Sequence, residues 1–83
     1  MIKNMYTIYD KKSETYAAPI IELTDGTAVR AIQDIIMSKP DHPFSRHSED
    51  YALYRIATYD ENTGHIETIG RENIQELRNL VGE

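Results

Sequence analysis

Tyr51-Ala-Leu-Tyr-Arg-Ile-Ala-Thr-Tyr59, Asp60-Glu-Asn-Thr-Gly64 and His65-Ile-Glu-Thr-Ile69 follow one another without a gap, and reading them together decides the fold. The first segment is dense in aromatic and β-branched residues, which fit a pleated, half-buried surface. The second is a turn cluster whose glycine tolerates positive φ. The third returns as an antiparallel partner, so the stretch is a β-hairpin and the chain contains an antiparallel sheet.

Working outward, Met5-Tyr6-Thr7-Ile8-Tyr9 has the same character and stops at the polar cluster Asp10-Lys-Lys-Ser13. It reads as another strand. Alternation puts Tyr6 and Ile8 on one face and Met5, Thr7 and Tyr9 on the other. Tyr16-Ala-Ala-Pro-Ile-Ile-Glu-Leu23 reads as a second extended segment, confined to an edge or a bulge because Pro19 cannot donate to a ladder.

Between these strands lies a helical pattern. Ala28, Ala31, Ile32, Ile35 and Ile36 recur at helical spacing, Thr24-Asp-Gly-Thr27 supplies capping groups, and Lys39-Pro40 ends the run. The spacing predicts a helix over 27–38 that buries Ala28, Ile32, Ile35 and Ile36 against Leu53 or Ile56. Residues 40–50 read as a loop held by Phe44. After the hairpin, Ile74, Leu77, Leu80 and Val81 predict a short amphipathic helix ending at Gly82. The expectation is therefore an α+β domain spanning 1–83, in the order β-β-α-β-β-α, with an antiparallel sheet covered on one face by helix 27–38.

Composition excludes several functions. With no cysteine there is no disulfide framework, no thiolate nucleophile and no thiolate metal site, as suits a reducing compartment. No segment approaches the roughly 20 apolar residues of a membrane span, and Met1-Ile-Lys-Asn-Met-Tyr lacks a signal-peptide core. Serines 13, 38, 45 and 48 sit in turn-like contexts without a nucleophile elbow, and Glu49-Asp50 and Asp60-Glu61 read as strand-flanking turn residues. His42, His47 and His65, with Asp41, Glu49 and Asp50, are the one metal-like set, but they divide between a loop and a hairpin. Thr24-Asp-Gly-Thr27 reads as a cap rather than a phosphate cradle, since Asp25 already brings negative charge. The expectation is a noncatalytic protein without metal or cofactor.

A net charge of −5 argues against generic phosphate binding. The charge is uneven, however. Residues 1–13 hold Lys3, Lys11 and Lys12 against Asp10, whereas the acids concentrate beyond residue 60. The tyrosines carry the functional signal that composition itself offers, because rings presented on a sheet beside basic side chains stack single-stranded bases. Tyr9 and Tyr59 as stacking residues, with Lys11 and Arg55 as phosphate contacts, form the candidate nucleic-acid set, on the sheet face away from helix 27–38. Lys3 and Arg30 are the further basic residues considered. The competing reading is that these tyrosines simply pack the sheet. Pro19 on an edge strand and the small core of so short a chain also suggest a homodimer, formed through sheet edges or through Ile74, Leu77 and Val81 of the C-terminal helix.

In chain order, Tyr9-Asp10, Tyr16, Pro19, Gly26, Ala28, Arg30, Pro43-Phe44, Asp50-Tyr51 and Leu53 form a series that resembles the small nonstructural protein of gokushovirus-type microviruses, the single-stranded DNA phages. The resemblance runs from Met5 to about Asp60. It implies a product encoded beside capsid, pilot, scaffold and replication-initiator proteins and absent from the virion. It implies action in the cytoplasm of the infected bacterial host, on single-stranded DNA or on a replication or packaging protein, as genome synthesis switches from duplex to single strand. The alternative is a protein-interaction module that never touches DNA. The resemblance carries no catalytic residues across.

Overall fold

The computed structural model describes residues 1–81. Five strands form an antiparallel sheet: β1 (Ile2–Asp10), β2 (Thr15–Tyr16), β3 (Ile20–Glu22), β4 (Tyr51–Asp60) and β5 (Ile66–Glu76). The helices are α1 (Asp25–Ser38) and the short α2 (Pro43–Arg46), and 3₁₀ turns follow at Ser48–Asp50 and Leu77–Leu80. The strand order is β2-β1-β4-β5, with β3 also pairing to β1 beyond β2. The architecture is the expected α+β arrangement, with one main helix on a small antiparallel sheet.

The extended segment expected over 16–23 is two short strands. Tyr9 faces Tyr16 in one pairing and Met5 faces Ile21 in the other. Pro19 falls between them, where no ladder bond is required of it.

The helix begins at Asp25, two residues before the expected start. Thr24 is its cap: the Thr24 hydroxyl accepts from the Thr27 N–H at 3.1 Å, and the Thr27 hydroxyl accepts from the Thr24 N–H at 3.2 Å. Ala28, Ile32 and Ile36 are buried against Tyr6, Ile8, Leu53 and Leu77. Leu53 thus takes the role expected of it. Ile35 is only half-buried, and Ile56 is outside this core. Loop 40–50 folds into α2 and a 3₁₀ turn, with Phe44 packed on the core and its ring 5.0 Å from that of Tyr51. The Ser45 hydroxyl bonds the carbonyls of Ile36 and Lys39 at the end of α1, satisfying acceptors that a helix terminus otherwise leaves open.

The C-terminal helix predicted from Ile74, Leu77, Leu80 and Val81 is not formed. Residues 66–76 are strand and 77–80 a 3₁₀ turn. The apolar spacing has another cause. β5 carries register shifts against β4 between Leu53 and Tyr54 and between Arg55 and Ala57, and Gly70 sits at φ +83°. The shift between Leu53 and Tyr54 makes Ile74 the extra residue of β5, packed on the core, and Leu77 reaches the core from the 3₁₀ turn rather than from an α-helix. Leu77 is fully buried within its own chain and is not available as a dimer contact. The expected stop at Gly82 lies outside the described residues.

Candidate nucleic-acid interface

Alternation along β1 sends Tyr6 and Ile8 into the core under α1 and leaves Thr7 and Tyr9 on the opposite face. Cross-strand neighbours share a face, so Tyr16 of β2 joins Tyr9 there, with ring centroids 4.6 Å apart. Tyr54 of β4 meets both rings edge-on, 6.2 Å from Tyr9 and 6.3 Å from Tyr16. These separations fall in the range in which aromatic pairs attract through their quadrupoles.

A cation completes the cluster. Ile56 is the extra residue of a bulge in β4, and Ile69, Gly70 and Arg71 lie opposite it in β5. Bulges re-aim side chains. Here Arg71 crosses the face to donate to the Tyr16 hydroxyl, its guanidinium carbon 5.7 Å from the ring centroid. Residues from all four strands of the path β2-β1-β4-β5 therefore converge on one patch. Beside them lies a depression of about 350 Å³ lined by Thr7, Tyr16, Ala17, Pro19, Ile56 and Arg71. Its floor is firm, because buried Thr7 donates its hydroxyl to the Ala17 carbonyl at 2.7 Å. Tyr16 is 40% exposed.

The four residues singled out in the sequence do not share one site. Tyr9 belongs to the patch. Tyr59 pairs with Lys3 near the other end of the sheet, six residues of β1 from Tyr9, or about 20 Å at 3.3 Å per residue. Lys11 is ion-paired to Glu76 at 2.6 Å. Arg55 is held by Glu72 and by Asp25, the latter at 3.5 Å, at the start of α1 and beside Tyr6. Its guanidinium therefore serves the helix side of the sheet. Lys3 is likewise paired, to Glu61 at 2.8 Å. Tyr16, Tyr54 and Arg71 are the residues sequence reasoning missed as site members. In the sequence Tyr16 reads as the start of an extended segment and as part of the family-like series, and nothing there links it to Arg71 across 55 positions.

Of the metal-like set, His47, Glu49 and Asp50 place ligand atoms within 4.8 Å of one another at a mostly exposed turn. His42 instead accepts the Phe44 N–H at Nδ1 and caps α2. Among the described residues no helix is long and apolar enough to cross a membrane.

The family described as Phage ORF5 protein matches residues 3–80. The chain belongs to that family, and the match includes the C-terminal segment in which the sequence reading found no counterpart. No curated protein and no solved structure matches.

Proposed function

We propose that this member of the Phage ORF5 family is a noncatalytic accessory protein that binds single-stranded DNA through the sheet face away from α1, during genome replication or packaging in the infected cell. The observation that carries the reading is the convergence of Tyr9, Tyr16 and Tyr54 with Arg71 on Tyr16. Aromatic rings on a sheet stack bases of any sequence, and each stack contributes roughly 1–3 kcal/mol. The depression beside Tyr16 receives a base, and Arg71 exchanges its phenol contact for a phosphate.

Charge selects the kind of nucleic acid. A chain of net charge −5, whose Lys3, Lys11 and Arg55 are already paired to carboxylates, lacks the cations to follow a duplex backbone. Stacking needs bases that are not already paired and stacked, which favours a single strand. The resemblance to gokushovirus-type nonstructural proteins supports the same setting. Tyr59, near the other end of β4, offers a second stacking contact for a strand running along β1 and β4.

The test is a fluorescence-anisotropy titration of labelled oligothymidylate against a duplex of equal length at low salt. Binding of the single strand in preference to the duplex is expected. Folded protein that binds neither would reject the reading.

A further inference from the structure

On the helix side of the sheet a second cavity, of about 320 Å³, separates α1 from the β3 edge. Ala31 and Ile35 form its helix wall, Ala18, Ile20 and Glu22 the opposite wall, and Leu53 part of the floor. Ile20 and Glu22 are two residues apart on β3 and share a face, as strand alternation requires, and Ala18 lines the cleft from the irregular segment before β3. β3 pairs with β1 alone, so its outer edge presents backbone groups with no strand partner among the described residues. Apolar surface continues past the cavity: Ile20, Ile21 and Leu23 are 37%, 43% and 47% exposed.

We propose that this cleft is a docking site for an extended, basic-and-apolar segment of another protein, which adds as a strand to β3 and sends an apolar side chain beneath α1. An open strand edge beside an apolar groove supplies both parts of such recognition: main-chain hydrogen bonds hold the segment, and the groove selects alternate side chains. Charge complementarity identifies the occupant. Glu22 is the charged group of the lining, and the chain as a whole carries −5. A basic segment meets an opposite charge at Glu22 and is drawn by the whole surface. A second copy is the poorer occupant. It brings another −5, and two three-residue edges offer little of the roughly 1,200 Å² that a stable protein interface buries. The cleft lies on the helix side of the sheet and shares only Thr7 and Ala17 with the depression beside Tyr16, and the proposal does not rest on DNA binding.

Calorimetric titration with the peptide acetyl-Lys-Val-Lys-Ile-Lys-Val-amide tests this, with a Glu-for-Lys version as control. The basic peptide should bind and the acidic one should not. Ala31→Leu, which fills the cleft, should weaken binding by about tenfold or more, equivalent to about 1.4 kcal/mol. Glu22→Lys, at a partly exposed position, should weaken it independently and serves if the filled variant misfolds. Absence of binding at millimolar peptide, equal binding of the acidic version, or indifference to both substitutions would overturn the proposal. So would a dimer in sedimentation that the peptide dissociates, since the occupant would then be a second copy.

Discussion

The Tyr6 hydroxyl donates to Asp25 at 2.6 Å, joining the central region of β1 to the first turn of α1. Tyr6 is fully buried, and Asp25 also faces Arg55 at 3.5 Å. The carboxylate lies where the helix dipole favours negative charge. A single phenol thus ties the helix to the sheet and orients the acid that restrains Arg55.

Tyr6→Phe should therefore cost about 1.5–3 kcal/mol at neutral pH, as expected for a hydrogen bond to a charged group. Burial first, and then the bond to Asp25, push the Tyr6 phenol far above its ordinary value. Its contribution is complete below the ordinary tyrosine range. Above about pH 10 the unfolded chain ionises while the folded one does not, so stability falls as pH rises. Urea midpoints at pH 8 and pH 11 should fall further for wild type than for Tyr6→Phe. Equal falls would mean that the phenol is solvated.

Ile32 and Leu77 pack in the same core, 4% and 0% exposed. Replacing either by alanine should cost on the order of 2–5 kcal/mol, comparable to the whole stability of a small domain. Both variants should melt many degrees below wild type. A Leu77→Ala midpoint within about two degrees of wild type, against a shift of roughly 4–8 °C per kcal/mol in a domain of this size, would show that the C-terminal turn is not docked.

The sequence made some of this legible and hid the rest for physical reasons. Asp60–Gly64 announced the hairpin because turn chemistry is local, and Gly64 takes φ +77° as such a turn allows. The faces of β1 followed from alternation, and Thr24 through Thr27 marked the start of α1. Ile74, Leu77 and Leu80 mislead because Ile74 is the extra residue of a bulge in β5 while Leu77 and Leu80 lie one 3₁₀ turn apart, and the combined spacing of three imitates an α-helix. The candidate site was half legible. Tyr9 could be assigned a face, but the company it keeps depends on β2 folding back and on Arg71 being turned by a bulge, both products of long-range pairing.

Lys11 and Glu76 bind the ends of β1 and β5 at 2.6 Å. The Lys11 hydrogen bond, followed by that of Asn73, holds the Glu76 carboxyl below its ordinary value. Such a group stabilises the fold above the ordinary glutamate range and loses that contribution as pH falls through its folded value. The pair is partly solvated, so Lys11→Gln should cost less than about 1 kcal/mol at pH 7. Urea unfolding at pH 7 and pH 3 should show that small deficit vanish in acid. A deficit that persists would assign it to lost packing of the lysine stem.

The DNA reading turns on Tyr16 and Arg71. The decisive measurement is oligothymidylate affinity across a salt series for wild type, Tyr16→Ala and Arg71→Gln, with thermal melts of each. Tyr16→Ala should weaken binding by about 1–3 kcal/mol while the protein remains folded. Arg71→Gln should lower the slope of log affinity against log salt by about 0.7, the loss of one single-strand phosphate contact. Unchanged affinity and slope in both folded variants would contradict the account and leave the tyrosines as packing for the sheet.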